Sequence, residues 1–174
     1  MNNVKNLLFT GAPGVGKTTL LLRAVKGMEG IAGFYTREMR EGGERCGFEI
    51  VGFDGRRALF AHTRIGGRPM VGQYGVNLVA FEGFLAATPF SGPGVRLLVI
   101  DEIGRMECLS PLFRDHVTAF LDGEVPVVAT VALRGDEFVE AVKRRPDVRV
   151  VTVTRENRDT LLPEARRDIA ALVE

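Results

Sequence analysis

Gly11-Ala12-Pro13-Gly14-Val15-Gly16-Lys17-Thr18 follows the pattern G-x-x-x-x-G-K-[ST], a set of residue types suited to holding a phosphate chain. Glycines let backbone N–H groups turn inward around an anion, and a following helix adds the positive end of its dipole. Lys17 would supply counter-charge to the β- and γ-phosphates of a nucleotide, and the Thr18 hydroxyl would take one position on magnesium. The flanks agree with this P-loop reading. Leu7-Leu8-Phe9 enters as a strand would, and Thr19–Val25 leaves as a helix. That context separates the motif from an accidental Gly-rich turn. Only four of the 23 basic residues are Lys, and one of them stands here.

The second chemical signal is Leu97-Leu98-Val99-Ile100-Asp101-Glu102. A buried strand ending in Asp is the arrangement that holds magnesium in P-loop proteins. A carboxylate directly after it, Glu102, can orient and polarise a water against the γ-phosphate, a residue that small-molecule kinases do not need. The plainer alternative is an acidic pair capping the next element. Thr130, at the end of the following strand, could sense the γ-phosphate or simply be a β-branched strand residue. Arg40, Arg45, Arg64 and Arg68 are candidates for stabilising transition-state charge, each with a solvated surface role as the simpler reading. His62 and His116 have no ligand spacing. Asn157 and Arg158, after the last strand, are the residues expected nearest the base, with a helix-start role as the alternative.

These groups need a scaffold. Gly33–Arg40, Cys46–Phe53 and Arg56–Ala61 read as three antiparallel strands, with turns at Glu41–Glu44 and at Asp54-Gly55. Residues 62–76 read as a loop. Asn77 caps a helix that stops near Pro89, and Val95–Ile100 is a buried parallel strand. Ser110-Pro111 opens an amphipathic helix, Val125–Val131 is a further buried strand, and Asp136–Arg144 a short helix. Val148–Val153 is the last strand, and the helix from about Asn157 is expected to be interrupted near Pro163. Alternating strands and helices argue for an α/β protein with a mostly parallel sheet.

At 174 residues the chain predicts one domain, 1–174. A net charge of +1 gives no reason to expect nucleic acid or an anionic membrane as partner. No apolar run approaches a membrane span. Cys46 and Cys108 have no C-x-x-C neighbour, so no zinc or redox motif follows, and free thiols suit the cytoplasm.

GAPGVGKTTL at 11–20, GFYTREMREGG at 33–43, VGQY at 71–74, SGPG at 91–94, VIDEIGRME at 99–107 and TRENRDTLLP at 154–163 together resemble a small nucleoside-triphosphatase family. That family was first recognised in thermophiles and occurs in animals as a cancer-related nucleoside triphosphatase. The resemblance implies a RecA-like, additional-strand P-loop fold with an inserted antiparallel hairpin at about 33–61. It also implies hydrolysis of ATP and other nucleoside triphosphates to diphosphate and phosphate. Its nucleotide contacts fall here on Gly11–Thr18 and on Leu97, Leu98, Val99, Ile100, Asp101, Glu102, Ile103 and Gly104. With Lys17 and Glu102 as catalytic groups and Thr18 and Asp101 on Mg2+, the expectation is slow hydrolysis with little base selectivity. A nucleoside or nucleotide kinase, and a nucleotide-dependent switch with incidental hydrolysis, remain open at this point. No protein partner is indicated.

Overall fold

The structure, a computed structural model, describes residues 4–174. Its strands are β1 (Asn6–Gly11), β2 (Ile31–Glu41), β3 (Glu44–Gly52), β4 (Arg57–His62), β5 (Met70–Val71), β6 (Tyr74–Val76), β7 (Leu97–Ile103), β8 (Val127–Ala132) and β9 (Val148–Thr152). The helices are α1 (Lys17–Ala24), α2 (Leu78–Ala87), α3 (Pro111–Asp122), α4 (Glu137–Lys143) and α5 (Leu161–Leu172). All the strands join one sheet in the order β5-β6-β4-β3-β2-β7-β8-β1-β9. The run β2-β7-β8-β1-β9 is parallel, and β8 stands as an additional strand between the P-loop strand β1 and the Asp101 strand β7.

The remaining strands form an antiparallel wing. It is larger than the expected meander, because residues 62–76 are not simply a loop: β5 and β6 form a small hairpin there. Strands of two and three residues have too few positions for an alternation to be read. The wing is grown from the core sheet through β2. Ile31–Phe34 pairs with β7, and Phe34–Glu41 pairs with β3. Gly33 permits this, since a Cβ there would stand 1.9 Å from the Val99 carbonyl oxygen.

Both expected turns are present, but the one at Asp54-Gly55 is not a two-residue turn. Gly42 (φ 58°) and Gly43 (φ 85°) make a two-residue turn between Glu41 and Glu44, whereas Phe53–Gly55 is a three-residue loop closed by Gly52 and Arg56. Asn77 and Ser110 cap α2 and α3 as expected, accepting from the amides of Ala80 and Phe113. Pro163 does not interrupt α5. It is the third residue, in the first turn, where no intrahelical N–H bond is lost. No helix among the described residues is long and apolar enough to cross a membrane.

Helices cover both faces of the parallel region, which is why β7 reads as a continuous apolar run. Leu98 and Ile100 enter one core with Phe34, Phe60, Phe81 and Phe113, while Leu97 and Val99 enter the other with Phe9, Leu21 and Ile169. Phe81 is fully buried, with ring centroids 4.7 Å from Phe60, 5.5 Å from Phe113 and 6.0 Å from Phe34. It ties α2 to the wing, to α3 and to β2 at once. Phe81→Ala should cost about 3–5 kcal/mol, read as a lower urea midpoint at unchanged slope. A loss under about 1 kcal/mol would mean that the surrounding rings collapse into the space.

Candidate active site

The parallel strands all deliver their C-terminal ends to one edge of the sheet, and the chemistry gathers there. β1 ends at Gly11, where a Cβ would stand 2.4 Å from the Val153 carbonyl oxygen, so the chain must be Gly to turn beside β9. Gly14 (φ 73°) and Gly16 (φ 110°) adopt the left-handed region, and Gly16 opens α1 with no side-chain cap. The first amides of α1 are therefore left for an anion. Lys17 is buried, and its Nζ donates to the carbonyl oxygens of Gly11 (3.1 Å) and Ala12 (3.4 Å), curling back over the loop.

Asp101 binds the two motifs together. Its Oδ1 accepts from Thr18 Oγ1 at 2.8 Å and from Thr130 Oγ1 at 2.5 Å. Its Oδ2 accepts from the Thr36 amide at 3.2 Å and the Thr36 hydroxyl at 3.1 Å. With 1% of its surface exposed, Asp101 is held by donors from α1, β2 and β8 together. Thr130 is thus more than a β-branched strand residue, because its buried hydroxyl donates to Asp101. Thr36 was missed by reasoning from residue types. Its one sequence signal was membership of the GFYT segment.

Glu102 is half-buried beside this group. Burial pushes its carboxyl above the ordinary range, Lys17 opposes that shift, and the Asp101 charge adds to it. Glu107 was not singled out either. It follows on a short 3₁₀ turn (Glu107–Leu109), and burial, with the Glu102 charge behind it, pushes its carboxyl well above the usual range. Leu97, Leu98, Val99, Ile100 and Ile103 are at most 3% exposed and leave no surface for a ligand. Their part is to carry Asp101 and Glu102 to the sheet edge.

Arg158 reaches back over the P-loop, its guanidinium donating to the Val15 carbonyl at 3.2 Å. Asn157 is spent locally: its side chain accepts from the Thr154 amide and donates to the Thr152 carbonyl. The candidate arginines of the wing are largely engaged. Arg40 and Arg45 pair with Glu38, and Arg64 with Glu41. Arg45 also donates to the Tyr74 hydroxyl at 3.0 Å, which joins the GFYTREMREGG hairpin to the VGQY turn. His116 packs between Phe90 and Phe120. His62, without ligand spacing in sequence, comes within 4.8 Å of Glu41 and Cys46 because β2, β3 and β4 lie side by side. Arg64 already uses two of these groups. Its guanidinium holds Glu41, and its amide donates to His62 Nδ1 at 3.0 Å, so the cluster braces the wing.

The model of the NTPase family matches residues 6–165. The chain belongs to that family. It is 42% identical over 159 residues to the nucleoside-triphosphatase THEP1 of Thermotoga sp. (strain RQ2), covering 91% of each chain. It is 40% identical over 183 residues to the human cancer-related nucleoside-triphosphatase, covering 92% of this chain and 94% of the other. The crystal structure of THEP1 from the hyperthermophile Aquifex aeolicus superposes with a TM-score of 0.83 at 35% identity, covering 97% and 99% of the two chains. The α/β P-loop NTPase fold is thus shared nearly end to end with this family.

Proposed function

We propose that this chain hydrolyses nucleoside 5′-triphosphates to nucleoside diphosphate and phosphate in a magnesium-dependent reaction. The observation that carries the reading is the 2.8 Å hydrogen bond between Thr18 and Asp101, which brings the end of the P-loop to the acidic strand. Glu102, close enough to Lys17 to feel its charge, would then stand beside the phosphates with no acceptor-binding role required of it. The names of the relatives, nucleoside-triphosphatases from bacteria and from human, point the same way.

The oxygens at this junction suit a hard cation. A Thr18 hydroxyl that donates to Asp101 keeps lone pairs for Mg2+, and Asp101 would hold the ion through water. Magnesium, when bound, supplies charge neutralisation between the β- and γ-phosphates. The chain's own groups do the rest: the loop amides and Lys17 hold the phosphates, Asp101 orders Thr18, and Glu102 orients the water. Three of the four candidate arginines, Arg40, Arg45 and Arg64, are held in ion pairs on the wing and Arg68 is exposed, which fits a slow basal rate. Two unpaired thiols, Cys46 and Cys108, suit the cytoplasm as its compartment.

The deciding experiment is phosphate release from ATP with no added acceptor, with and without magnesium. Release only in the presence of an acceptor hydroxyl would make the protein a kinase instead. Base selectivity should be weak, because the base-proximal candidates offer little to read an edge with: Asn157 is bonded within its own turn, and Arg158 is a planar cation that can stack on any base. Catalytic efficiencies for ATP, GTP, CTP and UTP are expected within about tenfold, whereas a preference beyond about a hundredfold would reveal a hydrogen-bonding base pocket.

A further inference from the structure

Glu107 is a buried carboxyl that the mechanism above does not use. It is 6% exposed, and no cation offsets the effect of burial on it. The chain folds back to put it there. The Cys108 amide donates to the Gly104 carbonyl at 3.0 Å, and the Ser110 amide donates to the Glu107 carbonyl at 3.1 Å. The turn 104–110 thereby returns under the end of β7. Gly104 lies between the two acids: a Cβ built on it would stand 3.1 Å from Glu107 Oε2 and 3.3 Å from Glu102 Cδ. The two side chains converge on the one residue of the turn that has none. Gly104 has no left-handed φ, so backbone conformation alone does not demand glycine there. The two carboxyl groups crowd the space instead, so that a methyl group there would make them give by a few tenths of an ångström.

We propose that Glu107 is a positioning residue for hydrolysis, its buried side chain packing with Gly104 against Glu102 and fixing the rotamer in which Glu102 meets the attacking water. The inference rests on the reading of Glu102 as the water-orienting group. Glutamate has three free torsions, and a misplacement near 1 Å at a reacting group costs about 10²-fold in rate. A half-buried Glu102 therefore needs a wall behind it, and Gly104 with Glu107 forms one. Burial and the nearby Glu102 charge both push the Glu107 carboxyl upward, away from its charged form, which limits the repulsion between two acids packed this closely. Glutamine has the same length and fills the same space.

The test compares wild type with Glu107→Ala, Glu107→Gln, Gly104→Ala, Glu102→Gln and the double variant Glu102→Gln/Glu107→Ala. It measures magnesium-ATP hydrolysis, ATP affinity and thermal unfolding. Glu107→Ala is expected to lower kcat about 10- to 100-fold with KM unchanged. Glu107→Gln should recover most of that loss. Gly104→Ala, whose new methyl must push the carboxyl groups by a few tenths of an ångström, should lower kcat in the same direction. The double variant should be no slower than Glu102→Gln alone, because Glu107 acts only through Glu102.

A wild-type kcat in Glu107→Ala, a loss that appears in KM instead, or full multiplication of the two losses in the double variant would each overturn the proposal. So would a Glu107→Gln as slow as Glu107→Ala. If Glu107→Ala fails to fold, Gly104→Ala decides: a folded variant at the wild-type rate overturns it. Glu102→Gln separates the two levels. Wild-type turnover there removes the reading of Glu102 itself, whereas a slow Glu102→Gln beside an unaffected Glu107→Ala removes only the role of Glu107.

Discussion

Glu102→Gln is expected to lower turnover by about 10²–10⁴ while leaving nucleotide and magnesium affinity nearly unchanged. The substitution keeps the shape of the side chain and removes the charge that polarises the nucleophile. The groups that bind the nucleotide are untouched, because Lys17 stays against the P-loop and Asp101 keeps its bonds to Thr18, Thr130 and Thr36. The measurement is single-turnover phosphate release beside titration with a fluorescent triphosphate analogue. A protein that acted as a switch would be trapped by this change in its triphosphate-bound form. A hydrolysis rate equal to wild type would return Glu102 to a structural acid at a strand end. Asp101→Asn should behave differently. An amide offers only one acceptor oxygen where four donors converge, so the Thr18 position and the magnesium dependence should both suffer.

Lys17→Ala should abolish tight triphosphate binding together with turnover. The Lys17 ammonium is the counter-charge most firmly placed at the loop, buried and bonded to the carbonyls of Gly11 and Ala12. Loss of a preorganised donor at developing charge costs about 10²–10³ in rate, and here ground-state affinity goes with it. The fold should survive, since the strands and helices around the loop are held by the two cores on either side of the sheet. Calorimetric titration with ATP and a thermal melt check both halves of this expectation. Near-normal hydrolysis by a folded Lys17→Ala would dismiss the P-loop as the site, whatever its sequence.

The sequence by itself determined the P-loop, because eight contiguous residues with a strand before and a helix after are local information. It determined β7 as a strand buried on both faces, because the four consecutive apolar residues Leu97–Ile100 before Asp101 leave no polar face. Asn77 and Ser110 announced two helix starts, since capping is chemistry between neighbours in the chain. What lies between distant segments was not legible. Thr36 became a partner of Asp101 only because β2 leaves its parallel pairing with β7 at Phe34 and runs on past the end of the acidic strand. Thr130 turned toward the same carboxylate because β8 sits between β1 and β7. Glu107 came beneath Glu102 through a turn whose glycine has an ordinary backbone conformation, so nothing in its local pattern marked it. Short-range propensity and periodicity describe how a chain bends. Which buried oxygen meets which hydroxyl is settled by strand order and register, and those depend on packing across the whole sheet.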